Sequence, residues 1–440
     1  MLDHRSRLHR LLESNPWMLM AGIVSVMFIV ALGLVRLDHA LKLTPDPDQV
    51  WFYGGGADAS IGLLSAITSS SITVAGVIFS ATFVTMQLAS SSYTPRVVQA
   101  LSRRWNLQVV LGIFLADFVF ALVVLRSVRP VTETRAPEFV PVLSVSACIL
   151  FSFICVGVFV YYVSYGFRSL QPTFLIDSAV RETIGLLERS QRVSEGVRQV
   201  SPGAREAGSA ENPHLVVAAE AGFLQRVQFN ELQREAEAAD VSVRIIADIG
   251  RYYFPGEPIL AIVPGDRWSM ELQDAVLRTV ALGDERTPEQ DIEFAFRRVA
   301  DIMLKAISPA INDPTTSEYC INTLGKLILM LASQPAPLQQ LVDGNDVIRV
   351  TWSQQPFARC VNTAFDQFRH YGSRDISLVA YTLQSFRRLA SLLPVGHRAV
   401  IVAQAVALRD TALAEVGSEG DRQIVNRASS WLTTASAHDV

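Results

Sequence analysis

The sequence predicts an α-helical transmembrane domain of four spans, followed by a soluble, mainly helical α+β domain with a small barrel-sandwich-like β unit. Three observations carry this. Four apolar stretches, near residues 17–35, 72–89, 107–125 and 142–165, are long enough to cross hydrocarbon. Beyond about Arg168 no apolar run is long enough. The 440 residues are 50% hydrophobic and 18% charged, which suits a membrane protein that keeps a large soluble part.

The first span, Trp17 to Val35, follows a short polar segment with Arg5, Arg7 and Arg10. Arg36, Leu37, Asp38 and His39 follow it where a cleavage site of small residues would stand, so it reads as uncleaved. A polar connection, Leu37 to Ala59, contains Gly54-Gly55-Gly56. It has no strand before it and no Lys-Ser/Thr after it, so it is no phosphate loop. The second span runs from Ile72 to Ala89, and Ile61 to Ser71 is either an interfacial helix or its extension. The third is interrupted by Asp117, and the fourth carries Tyr161, Tyr162 and Tyr165 as an interface belt. Four spans put both termini on one side of the bilayer. Arg96, Arg103 and Arg104 join the N-terminal arginines in tilting that side toward the cytoplasm, with Pro45 and Glu133 outside.

These spans and their loops make up residues 1–170. Residues 171–213 read as an amphipathic helix, Phe174 to Arg192, and a linker, Ser194 to Pro213. Residues 214–265 form the β unit: strands at Leu215–Ala218, Val241–Ala247 and Ile259–Val263, and a helix from Asn230, its cap, to Ala239. The unit holds no lysine, which removes a cofactor-carrier role. Residues 266–440 are mainly helical. Thr287-Pro288-Glu289-Gln290 has a hydroxyl cap, a first-turn proline and a Gln three after the cap, which is a strong helix start. Glu293/Arg297 and Asp301/Lys305 fall on the expected wet side of that helix. Further helices are expected over Thr315–Ala332, Pro356–His370, Ile376–Leu392, His397–Val416 and Asp421–Ala435, with a strand at Val347–Trp352.

Three places draw attention as candidate sites. At about 100° per residue, Ser69, Thr73, Gly76, Ser80, Gln87 and Ser91 share one narrow face of the second span. Lipid cannot satisfy such groups, so the face meets either a neighbouring helix or a solute pathway. Asp117 is the only acid inside a span; it is a proton relay or ion ligand, or else a partner of Ser, Thr, Gln or Arg126. In Ser308-Pro309-Ala310-Ile311-Asn312-Asp313-Pro314-Thr315-Thr316, either Asp313 caps a helix or Thr315 forms a capping box with Glu318. The alternative is a polar site in which Asn312 and Asp313 join Glu285-Arg286-Thr287, or an anion at the helix start.

Other chemistries find no support. The net charge of −4 gives no case for a nucleic-acid partner. The four cysteines include no C-x-x-C pair, and the seven histidines form no H-x-x-x-H pair, so no metal site is suggested. No nucleophile elbow is present, no cofactor is implied, and the chain does not read as an enzyme.

The sequence resembles a bacterial membrane-protein family catalogued as domain of unknown function 2254. Ser71-Ile72-Thr73-Val74-Ala75-Gly76-Val77-Ile78-Phe79-Ser80 with Gln87-Leu88-Ala89-Ser90-Ser91 looks like its second span. Leu111-Gly112-Ile113-Phe114-Leu115 with Val124-Leu125-Arg126 looks like its third. Arg286-Thr287, Gln290-Asp291 and Ser308 to Thr315 look like its cytoplasmic signature, and Asp117 lies outside these motifs. The resemblance covers almost the whole chain and implies a multi-pass protein of the bacterial inner membrane, without an activity. The functional expectation is an oligomeric channel or transporter for an inorganic ion or small solute, with a cytoplasmic domain that gates or assembles it. Arginines at the mouth would favour anions weakly. The alternative is a membrane-anchored signalling or scaffold protein.

Overall fold

The computed structural model describes residues 16–41, 53–92, 105–130, 138–169, 174, 176–177, 180–188, 205–207, 212–334, 338–353 and 356–435. It divides into two compact units, Met1–Gln171 and Pro172–Val440.

Four long helices form the first unit: α1 (Pro16–Leu41), α2 (Ala57–Ser92), α3 (Trp105–Ser127) and α4 (Val142–Ser169). All four are long and apolar enough to cross a membrane. Helix α3 is the hub, packed against each of the other three. Leu64 of α2, Phe120, Ala121 and Val124 of α3, and Val145 and Cys148 of α4 form one core cluster. Ala75 and Ile78 of α2 meet Phe114 of α3 and Cys155 of α4 in another.

Two helices exceed the predicted spans, each for a local reason. Helix α1 continues past Val35 and carries buried Asp38 to the start of α4. There its Oδ1 accepts from the Leu143 N–H at 3.0 Å, and its Oδ2 accepts from the Ser144 N–H at 2.9 Å and Oγ at 2.5 Å. A carboxylate on the first free N–H groups of α4 satisfies donors that have no partner within that helix. Helix α2 takes in Ile61 to Ser71 as one continuous extension. Glu138 Oε1 accepts from the Ala57 N–H at 3.0 Å at its start.

The second unit holds two open sheets among the described residues; no closed barrel is described. Its strands are β1 (Arg205–Glu206), β2 (His214–Val217), β3 (Gly222–Val227), β4 (Ser242–Ile245), β5 (Tyr252–Tyr253), β6 (Pro258–Val263), β7 (Val280–Gly283), β8 (Leu338–Val342) and β9 (Val347–Ser353). One sheet runs β1-β9-β4-β6-β2 with β8 also on β9, and the other runs β5-β3-β7. Strand β9 lies parallel to β4 although about a hundred residues separate them, so the larger sheet draws on more than residues 214–265. Arg205–Glu206, within the expected linker, pairs with Val347–Ile348. After exposed Pro258, strand β6 reads Ile259-Leu260-Ala261-Ile262-Val263, all buried, as a strand covered on both faces should be.

Helices α5 (Phe229–Ala238) and α6 (Met270–Arg278) accompany the sheets. Helix α5 has Gln228 at its cap position with no side-chain bond, so Asn230 is not the cap. A helical layer follows: α7 (Ile292–Ala306), α8 (Pro314–Ala332), α9 (Phe357–Tyr371), α10 (Ile376–Leu392), α11 (Val395–Glu415), α12 (Glu419–Ser429) and α13 (Leu432–Ala435). Fully buried Phe296, Phe365, Phe368 and Phe386 fill its centre. Helix α7 starts four residues later than its Thr287 signal predicts. Gln290 bonds the Val227 backbone both ways, at 2.9 and 3.0 Å, and Asp291 caps the helix through the Phe294 N–H at 3.0 Å. It has no fully wet side either, because Glu293, Arg298 and Asp301 are all buried. Residues 180–188 are helical, and the rest of Phe174 to Arg192 is described only in part.

Candidate functional site

The polar residues of α2 divide between two faces. Ser60, Leu64, Ser71, Ala75 and Ile78 are buried and recur every three or four residues, which is the face turned to α3 and α4. Ser69, Thr73, Gly76, Ser80 and Gln87 are all exposed. At ~100° per residue their stripe lies roughly 160° round the helix from the buried face. Among the described residues of the first unit, then, this face packs on nothing. Gly62 and Gly76 have no atom within 4 Å of where a Cβ would stand. Thr73 Oγ1 donates back to the Ser69 carbonyl at 2.7 Å, which satisfies its hydrogen. Ser91 belongs to α2, but its side chain, like Arg96, Arg103, Arg104, Pro45 and Glu133, lies outside the described residues.

Asp117 sits near the middle of α3, 1% exposed, and accepts from Ser71 Oγ of α2 at 2.5 Å. Ser152 Oγ, near the middle of α4, lies 3.4 Å from Oδ1 and 3.5 Å from Oδ2. Three helices thus meet at Asp117 near their middles. Along α2, Ser69, Thr73, Gly76 and Ser80 lie within about 14 Å of Ser71 at ~1.5 Å per residue, and Gln87 lies about 24 Å away. Asp117 therefore pairs with the second span and not with Arg126.

In the second unit, Arg286 and Asp291 belong to a chain of ion pairs. Arg286 Nε and Nη2 reach Asp291 Oδ2 at 2.8 and 2.7 Å. Arg286 Nη2 also lies 3.6 Å from Glu293, whose Oε2 meets Arg359 Nε at 2.7 Å. Arg359 Nη1 continues to Asp248 at 2.9 Å, and Thr363 donates to Glu293 Oε1 at 2.8 Å. Burial alone would lower the Arg359 guanidinium; Glu293, then Asp248, hold it above its ordinary value. Thr287 is buried, and its hydroxyl has no hydrogen-bond partner among the described residues. The cluster joins the small sheet to α7 and α9, and pairs two guanidinium groups with three carboxylates.

The Ser308–Thr315 turn lies elsewhere. Asp313 caps α8, its Oδ1 accepting from the Thr316 N–H at 3.1 Å and its Oδ2 from Thr316 Oγ1 at 2.5 Å. Pro314 takes the first turn, and Asn312 adopts φ 48°, the left-handed region this residue type tolerates. Thr315 is exposed and is not the cap. The 15 residues of α7 separate this turn from Arg286 and Thr287 by about 22 Å at ~1.5 Å per residue. The structure therefore does not join the two motifs into one polar site. The carboxylate of Asp313 already occupies the α8 N-terminus that an anion would need. Among the described residues no group of three His, Cys, Asp or Glu side chains is placed to hold a metal ion.

Of these places only the outward face of α2 is a polar, exposed stripe on a helix long and apolar enough to cross a membrane. Sequence reasoning found it by period alone. It missed Asp38 and Glu138, since nothing local marks a carboxylate that caps a helix about a hundred residues away.

A family model described as predicted membrane protein (DUF2254) matches residues 13–388. The uncharacterized protein Rv1290c of Mycobacterium tuberculosis is 28% identical over 447 residues, which covers 98% of this chain and 83% of the relative. The uncharacterized protein Mb1321c of Mycobacterium bovis matches with the same identity and coverage. No solved structure matches.

Proposed function

This chain belongs to the DUF2254 family of predicted membrane proteins, and we propose that it assembles in the bilayer as an oligomeric channel or transporter for an inorganic ion or small solute. One observation carries the reading: among the described residues Ser69, Thr73, Gly76 and Ser80 are exposed, on the side of α2 opposite its packed face, in a helix long and apolar enough to cross a membrane. A hydroxyl facing lipid without a partner costs roughly 1–3 kcal/mol, and the surface recovers that cost by facing copies of itself or water. Copies arranged with this face toward a common axis would line a passage with hydroxyl oxygens and no fixed charge. Gln87, near the end of α2, would stand at its mouth. Both termini would lie in the cytoplasm, and the second unit would gate or assemble the ring. Cysteine labelling at Pro45 and Glu133 from each side of the membrane tests the orientation.

The deciding experiment is electrical recording of the purified protein in bilayers, beside Ser80→Leu and Gln87→Leu, with ion substitution to read selectivity. The channel requires wild-type conductance and reduced flux in both variants, each folded and inserted. A second reading rests on Gly62 and Gly76, whose open faces suit close helix approach without a passage. In that case the protein is a membrane-anchored signalling or scaffold assembly. A wild type that dimerises and conducts nothing under any ionic condition would establish it in place of the channel.

A further inference from the structure

We propose that Asp117 is a proton-binding site where α2, α3 and α4 meet, with its proton on Oδ1 directed to Ser152 Oγ. Asp117 is 1% exposed, between α2, α3 and α4. Among the described residues, the helix stretches around it carry no basic group. Helix α2 has no charged residue from Ala59 to Ser92, and α1 has none from Met18 to Val35. The titratable groups on the α4 side are the thiols Cys148 and Cys155, which are buried, and no cation is among them. A bare carboxylate in such a place costs many kcal/mol, so its charge must be cancelled.

The hydroxyl bonds say how. Ser71 Oγ has one hydrogen and donates it to Oδ2. Ser152 Oγ also has one hydrogen, and the Cys148 carbonyl takes it at 3.0 Å, closer than either carboxyl oxygen. At 3.4–3.5 Å its contact with the carboxyl is too long to offset a charge, so Oδ1 has no close donor and is the oxygen left to carry a hydrogen itself. A metal cation fits less well: it takes roughly six oxygens, and the Ser71 oxygen is already in direct contact with Oδ2. A proton on Oδ1 cancels the charge with no further group. Release of that proton would leave a charge that three closely packed helices cannot solvate, so its occupancy ties the seating of α2 and α4 to that of α3.

The site stands apart from conduction, and its test does not measure flux. Infrared difference spectra of the full chain in lipid bilayers at neutral pH should show a protonated carboxylic carbonyl band that is lost in Asp117→Asn. Ser152→Ala should keep the band and shift it to higher frequency, because the acid loses its acceptor. In wild type, and not in Asp117→Asn, strongly alkaline pH should abolish the band and loosen the helices. If the neutral-pH band is the same in wild type and Asp117→Asn, the proposal is overturned. Should the Asn variant fail to insert, an acid band in wild type that Ser152→Ala leaves unmoved overturns it equally.

Discussion

Gly250 offers a sharp test of whether the Arg286–Asp291 cluster holds the second unit together. It has φ 85°, and a Cβ there would stand 1.8 Å from Asp291 Oδ2 and 2.9 Å from Arg286 Nη2. Gly250→Ala must therefore do two things at once. It incurs the left-handed penalty, about 1–2 kcal/mol, and it pushes Asp291 away from its partners. The displaced carboxylate leaves the cap of α7, worth about 1 kcal/mol, and leaves Arg286 with Glu293 alone. Breaking a buried pair costs about 3–5 kcal/mol. Arg286 is 22% exposed, so the lower end applies. The sum is about 5 kcal/mol. Gly256 supplies the control: φ 91°, and nothing within 4 Å of its Cβ position. Gly256→Ala should cost only the backbone part, about 1–2 kcal/mol. At ~2–4 °C per kcal/mol for a unit of this size, the two melting temperatures should differ by roughly 10 °C. Thermal unfolding of the purified full chain, followed by near-UV circular dichroism, reads this directly. Equal shifts for the two variants would refute the role given to Asp291.

Three further outcomes follow from the geometry. Asp38→Ala should destabilise the membrane unit by about 2–4 kcal/mol, since two N–H groups of α4 lose their acceptor; loss of monodisperse protein on heating in detergent measures it, with Asp38→Asn milder. At Asp343, burial opposes ionisation, but the N–H groups of Val347 and Asn345 and the Arg349 guanidinium prevail and hold the carboxyl below its ordinary value. A depressed folded value means stability that is present above the unfolded value, about 3.9, and lost as pH falls through the folded one. Acid unfolding below about pH 4 should therefore flatten in Asp343→Asn. Finally, Cys320 and Cys360 are buried, and burial, followed by Asp313 for Cys320 and by Glu293 and Asp291 for Cys360, pushes both thiols well above their ordinary range. Neither should react with a maleimide near neutral pH until the chain is unfolded, as mass spectrometry of tryptic peptides would show.

The elements that sequence made legible are those whose pattern is local. Helix α10 occupies Ile376–Leu392 as its apolar period predicts, and the four spans follow from length and apolarity. What escaped depends on distant partners. Helix α7 begins at Ile292 because Gln290 is engaged by the Val227 backbone, and no window around Thr287 contains that strand. Where the sequence suggests a barrel-sandwich-like unit, no closed barrel is described, and β9 enters the sheet between β1 and β4, a pairing no local window contains. At the candidate site, the period of α2 puts the stripe on one face, and Ser69, Thr73, Gly76, Ser80 and Gln87 are exposed there. It could not say that Ser71 belongs to Asp117, because that bond joins two spans whose mutual register only the fold supplies.

That register also bears on how copies of α2 would meet. The outward stripe runs from Ser69 to Gln87, a rise of about 27 Å at ~1.5 Å per residue. Two helices that cross at ~40°, as small-residue pairs commonly do, stay close over only a few turns and then diverge. A crossing at Gly76 would cover Thr73 and Ser80 and leave Gln87 free. Helices nearly parallel about an axis keep the whole stripe facing inward. Phe79 and Phe83 lie on one side of it and Val77 and Val84 on the other, all exposed. These bulky borders suit contact with lipid or with the next copy, while the hydroxyl line between them stays apart from both. A cysteine series along α2 therefore separates the two arrangements without any measurement of transport. Disulfide cross-linking confined to the turn around Gly76 belongs to a crossed pair. Cross-linking at the flanks, with Ser69, Thr73, Ser80 and Gln87 open to a small water-soluble thiol reagent, belongs to a ring.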